Sequence, residues 1–320
     1  MIRLTFIFPF LLLLISCGTK TPPYRITTLQ WELFSYLPYN TEYLFYSNLN
    51  ELRNSRIGLE NSVPDISKNT SGSWLNKFEE ETGVGINSGI SEMIIAGTDD
   101  NKRILLFRVE NNYDRVKNYL NRSPGFIKNE IENRETYSPK ENPAAQIYLP
   151  ENSILLITSE KSYIESLFQN YSKRLNENEN FISIIRNIDS KSHTWMAADD
   201  GTLASELFSR LSGKDSKLLS PKILSSVNNV TLSVDFSDGI QVESVVGCSS
   251  PGNAYLIASA VEGAKAMNIL SDKNVKLGKI FHKMDIKREG KLIRLHLPLT
   301  ENELKELKLI SMNNNQVIKF

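Results

Sequence analysis

The sequence predicts an α+β fold: two similar units with antiparallel sheets and helices packed on one face. Three observations predict it. Short runs that alternate apolar and polar residues, or are rich in Val, Ile and aromatics, recur along the chain between turn residues. Turn residues such as Asp99-Asp100-Asn101 and Ser237-Asp238-Gly239 join neighbouring runs closely, which favours hairpins over parallel crossovers. The order of elements in the first half then returns in the second.

Residues 42–48 (EYLFYSN) read as a strand, followed by a short helix near 49–54. Residues 57–72 are polar and unpatterned. Ser73 opens a helix with Trp74, Leu75 and Phe78 at helical spacing, and Gly83 and Gly85 stop it. Strands at 92–98 and 103–110 flank Asp99-Asp100-Asn101, a hairpin-tip composition. Asn111 or Asn112 caps a helix with Val116, Tyr119 and Leu120 on one stripe. Strands near 131–137, 145–149 and 153–158 lead into a helix from Ser159 to Tyr171. The polar stretch 176–180 divides a first unit, 37–175, from a second, 176–320.

The second unit begins with a helix at 181–188, a strand at 193–199 and a helix at 203–211. Strands at 229–236 and 241–246 are joined by Ser237-Asp238-Gly239; Asp-Gly suits a tight hairpin turn, which needs positive φ. A helix over 251–270 carries Pro251 near its first turn, where the missing N–H costs nothing. A hairpin over 281–299 turns at Glu289-Gly290, and Thr300 with Glu303 forms a capping box for a last helix over 301–310. Segments 43–52 and 194–207 share strand, turn, helix. Segments 91–120 and 228–261 share hairpin, helix, and 131–168 and 284–307 share paired strands, helix.

The amino terminus is of another kind. Arg3 is the only charge before Lys20, and residues 4–15 (LTFIFPFLLLLI) are almost wholly apolar. A charged start, a short apolar run and small residues after it describe a secretory signal over 1–16. The run is too short to span a bilayer, which takes about 20 residues, and Pro9 interrupts it. Residues 17–36 are expected to form a tether, extended near Pro22-Pro23.

Leu14-Ile15-Ser16-Cys17 resembles the bacterial lipobox. The resemblance covers the first 17 residues. It implies a diacylglycerol thioether on Cys17, which becomes the mature amino terminus, and a membrane held by several acyl chains at about 0.8 kcal/mol per buried CH₂. Gly18, where inner-membrane lipoproteins of enterobacteria carry Asp, implies the outer membrane, facing the periplasm. The body is also similar to uncharacterised bacterial envelope proteins with tandem α+β units, through Pro38 to Leu52 and the repeated order; this implies the fold and no catalytic residues.

Lys and Arg number 37, as do Asp and Glu, and no basic block occurs. That balance argues against a nucleic-acid partner. The cysteines are Cys17 and Cys248. With Cys17 lipidated, no internal disulfide can form, and Cys248, ending the apolar run VESVVGC, reads as a small buried hydrophobe.

The chemistry-bearing patterns are sparse. There is no Gly-x-Ser-x-Gly elbow, no Ser-x-x-Lys with Lys-Thr-Gly, and Gly213-Lys214 is followed by Asp215 where a phosphate loop needs Ser or Thr. His193, His282 and His296 lack metal-ligand spacing; His282 and His296 are expected to be diagonal neighbours across the 281–299 hairpin. Asp199-Asp200 and Asp99-Asp100 read as turn formers, and Glu79-Glu80-Glu81 as a solvated helix face. Seven aromatics between Trp31 and Tyr46 read mainly as core, with a docking surface as the other possibility. No catalytic, cofactor or metal residue is therefore assigned. The expected function is a membrane-anchored, non-enzymatic protein that binds or scaffolds a protein, peptide or lipid partner through its sheet or a groove between the units. The alternatives are an envelope hydrolase using dispersed residues such as His193 or Asp199, and a solute-binding lipoprotein with two hinged lobes and parallel sheets.

Overall fold

A computed structural model describes residues 24–55, 73–85, 88–98, 103–150, 153–168, 172–189, 191–199, 225–270 and 275–306. The signal, the lipobox with Cys17, the polar stretch 57–72, the Asp99-Asp100-Asn101 tip, Asp200, the helix expected at 203–211 and the end of the last helix lie outside these residues.

The chain runs α1 (Thr28–Phe34), β1 (Tyr43–Asn48), α2 (Leu49–Asn54), α3 (Ser73–Thr82), β2 (Ile90–Gly97), β3 (Arg103–Val109), α4 (Tyr113–Arg122), β4 (Phe126–Ile131), β5 (Arg134–Pro139), β6 (Gln146–Tyr148), β7 (Ile154–Thr158) and α5 (Lys161–Phe168). After a 3₁₀ turn, Leu175–Glu177, come α6 (Glu179–Ile185), β8 (Thr194–Ala198), β9 (Val227–Asp235), β10 (Ile240–Cys248), α7 (Pro251–Leu270), α8 (Val275–His282), β11 (Asp285–Glu289) and β12 (Leu292–Leu299). Residues 301–306 are helical, opened by the expected capping box, in which the Thr300 N–H donates to Glu303 Oε2 at 2.8 Å.

The α+β class holds, but the halves do not form separate sheets. Among the described residues, twelve strands make one sheet in the order β11-β12-β10-β9-β8-β1-β2-β3-β7-β6-β5-β4, with every pairing antiparallel. The first strands of the two halves, β1 and β8, pair with Tyr43 opposite Ala198 and Ser47 opposite Thr194. Joining them satisfies two edges that would otherwise expose unpaired backbone groups. Outward from this pair, each side presents a hairpin (β2–β3 or β9–β10) and then a strand from later in the chain (β7 or β12).

Helices cover both faces of the sheet, not one. On one face, Leu44, Tyr46, Ile94, Leu106, Leu156 and Trp195 pack with Leu33 and Phe34 of α1, Ile164 of α5 and Phe181 and Ile185 of α6. On the other, Met93, Phe107 and Leu155 lie under Leu52, Phe78, Val116 and Leu120 of α2 to α4. Farther along, Val230, Val246 and Ile293 meet Ala254 and Ile257 of α7. The reason is visible in β7, ILLIT, buried at every position: a strand without alternation must be covered on both sides.

Three boundaries also differ from expectation. Residues 24–36, expected in the tether, belong to the body: Thr27 and Gln30 form a capping box that starts α1, and Leu33 and Phe34 are fully buried. The strand expected at 131–137 is a hairpin, β4–β5, turning at Glu132-Asn133 with φ of 48° and 60°. This two-residue turn is of the type usually made by Asn-Gly, and no glycine marks it. Finally, α8 occupies the start of the strand expected from 281, so His282 ends a helix and β11 begins only at Asp285.

Candidate functional site

The segment nearest the expected anchor is fastened to the sheet by a buried polar cluster. The Arg108 Nε–H donates to Glu92 Oε2 at 2.7 Å, and its Nη2 donates to Glu32 Oε2 at 3.1 Å and to the Leu29 carbonyl at 2.9 Å. The other Glu92 oxygen accepts the Tyr46 hydroxyl at 2.7 Å. Tyr46 stacks on Trp195 with ring centroids 5.2 Å apart, and Tyr24 meets Trp195 edge-on at 5.6 Å. Gln30 donates to the Tyr24 hydroxyl. Burial pushes the Tyr24 and Tyr46 hydroxyls above the usual phenol range, helped by the Glu92 charge. One strand residue thus reaches helix α1 through both its backbone and its side chain.

The residues singled out for hydrolysis do not converge. His193 and Asp199 stand at opposite ends of β8, about 20 Å apart at strand rise. His193 Nδ1 accepts the Phe236 N–H at 3.2 Å and lies 3.1 Å from Asp235 Oδ1, while Nε2 faces Glu51 Oε2 at 3.9 Å. A triad needs a nucleophilic hydroxyl on that side. The neighbouring Ser237 hydroxyl donates to Asp235 Oδ1 at 2.7 Å instead. The cluster ties the end of β9 to the start of β8.

Cys248 is buried among Ala254, Ile257 and Val246, and burial pushes its thiol up to about 11, away from nucleophilic use. The expected neighbourhood of His282 and His296 is overturned, because His282 is helical; His296 lies opposite Asp285 and Glu243, with Nε2 3.1 Å from Gln241 Oε1. Among the described residues no three metal-ligating side chains come together. Of the aromatic crowd, Phe34 and Tyr46 are core, Trp31 is half-buried, and Tyr39 is exposed beneath the Lys173 ammonium, 5.4 Å from its ring centre.

Five segments distant in sequence enclose a cleft of about 380 Å³. Ser35 and Tyr36 at the end of α1 form one wall; Leu167 and Phe168 at the end of α5 form another. The β4–β5 turn brings Glu132 and Arg134, β6 brings Tyr148, and the strand-like residue Arg174 closes it. The walls are tied together. The Leu175 N–H donates to the Leu37 carbonyl at 3.0 Å, the Tyr163 hydroxyl donates to the Tyr36 carbonyl, and Tyr148 meets Phe168 edge-on at 5.1 Å. Two smaller clefts, about 270 Å³ each, are lined by Asn129, Ser138, Gln146 and Lys161, and by Asp189, Asp235, Glu243 and His296.

No family model matches the chain, and no curated protein is similar to it. Among solved structures, crystal form I of TP0453 is similar at 12% identity and a TM-score of 0.49, over 86% of this chain and 95% of that one. Crystal form IV of TP0453 is similar at 12% identity and a TM-score of 0.43, over 88% and 98%.

The cleft's chemistry lies in its arginines. The Arg134 guanidinium carbon lies over the Phe168 ring, 5.9 Å from its centre. Arg174 is held by a bond from Nη2 to the Ser166 carbonyl at 2.8 Å. Among the described residues neither side chain forms an ion pair. Sequence reading missed both arginines. They are forty residues apart and join no basic run, so only the unmarked turn at Glu132-Asn133 brings them to one place.

Proposed function

We propose that the protein is an envelope lipoprotein with a non-enzymatic binding or scaffolding role, held by lipid on Cys17 to a membrane, with the periplasmic face of an outer membrane favoured. The observation that carries this reading is the fastening of the residues just after the anchor. Tyr24 is only 8% exposed, against Trp195, and α1 is clamped through Arg108. Six residues lie between Cys17 and Tyr24, a reach of at most about 25 Å when fully extended. A body so attached works close to a lipid surface. Its sheet is continuous and antiparallel, without the two parallel-sheet lobes on which a hinged solute-binding lipoprotein relies.

The test is fractionation of cells expressing the native chain or Cys17→Ser. The native chain should sediment with membranes and resist high salt, and the variant should be soluble or retain its leader. Equal membrane association of both, with residues 1–16 removed from both, would refute the anchor.

A further inference from the structure

We infer that the Arg134–Arg174 cleft binds a phosphate group. A guanidinium carries its N–H donors in pairs along its edges, and such an edge matches phosphate oxygens in pairs. The Arg134 guanidinium carbon lies over the Phe168 ring, 5.9 Å from its centre, a cation–π contact that places the charge at the cleft. Arg174 spends one bond on the Ser166 carbonyl, which holds it in place and leaves its other donors. Neither pairs with a carboxylate among the described residues, so an anion in the cleft would meet two cationic side chains, Arg134 exposed and Arg174 half-buried. Ser35 lines the opposite wall, and its Oγ donates to the Glu32 carbonyl at 2.6 Å, so the arginines supply the donors.

Glu132 is the opposing charge. It lies at the rim, in the left-handed turn that precedes Arg134, and leaves the lining at one net positive charge. The cleft should therefore hold a phosphate moderately and release it, as a binding protein requires. The volume, about 380 Å³, exceeds what a bare phosphate fills, and the Phe168, Tyr148 and Tyr36 rings would cover an organic remainder. The ligand class is a phosphate ester, either a small soluble one or the headgroup of a lipid from the adjacent membrane.

The inference rests on the reading of the protein as a binding protein. Calorimetric titration of the native full-length chain in a neutral detergent, with glycerol 3-phosphate and separately with dihexanoyl phosphatidic acid, tests it. At least one probe should saturate one site. Arg134→Gln should weaken that binding at least about tenfold, and Glu132→Gln should tighten it a few-fold. Arg174→Gln should also weaken it, with its melting temperature read alongside because its bond to Ser166 is lost. Preference for the lipid by at least about tenfold would assign a headgroup, and equal affinity a soluble ester. Failure of the native chain to bind either probe, or binding that Arg134→Gln leaves unchanged, overturns the inference. The mass of the same sample scores lipid on Cys17 separately, so the two readings fail independently.

Discussion

Arg108 and Glu92 pair across the β2–β3 hairpin, Nε to Oε2 at 2.7 Å, with both side chains nearly buried at 12% and 10% exposure. Neither charge would be stable there alone. The same guanidinium reaches Glu32 and the Leu29 carbonyl on α1, so the pair couples the sheet to the first described helix.

Removing one partner should therefore cost more than the bond itself, because the other charge is left buried. Arg108→Leu should lose about 3 kcal/mol of stability, and Glu92→Leu added to it should restore part of that. Denaturant unfolding measures the loss, and limited proteolysis should show new cleavage near α1. An unchanged unfolding midpoint for Arg108→Leu would show that the clamp contributes nothing.

The pH dependence at the alkaline end has a definite sign. Cys248 is raised from 9.0 to about 11 by burial, and Tyr24, Tyr46 and Tyr163 are all raised, burial again being the main cause. A group that holds its proton more tightly when folded contributes stability below its unfolded pKa and loses it as pH rises toward the folded one. Stability should thus be level near neutrality and fall from about pH 9 upward. Thermal melts from pH 7 to 11 would show this, and a rising midpoint above pH 9 would contradict it.

Cys248 itself should resist thiol reagents at pH 8 in the folded protein and react fully in denaturant, since a buried neutral thiol is a poor nucleophile. Fast stoichiometric labelling of the native chain would mean that α7 does not cover it as described.

His193 links β8, β9 and α2 through Phe236, Asp235 and Glu51. His193→Gln should lower stability by about 1–3 kcal/mol, with phosphate binding in the arginine cleft unchanged. A stability-neutral variant that lost ligand binding would move the site to this cluster.

Much of the fold was legible, and the misses share a cause. The turns at Asp238-Gly239 and Glu289-Gly290 announced their hairpins because glycine takes the positive φ, 100° and 62°. Glu132-Asn133 takes positive φ at both residues, with side chains that do not announce it, so β4 and β5 read as one strand and the cleft they build was invisible. Helix α1 did carry a signal, the Thr27-x-x-Gln30 capping box, overshadowed by the Pro-rich stretch before it. The joining of the halves through β1 and β8 had no local signature, since strand partners 150 residues apart are chosen by edge satisfaction rather than by neighbours.

The attachment at residue 17 bears most of the functional reading, and intact-mass and peptide mass spectrometry of the native amino terminus tests it most directly. The account predicts a chain beginning at Cys17 with a diacylglyceryl thioether on its sulfur. A chain that retains residues 1–16, or one that begins elsewhere with an unmodified Cys17, would contradict it.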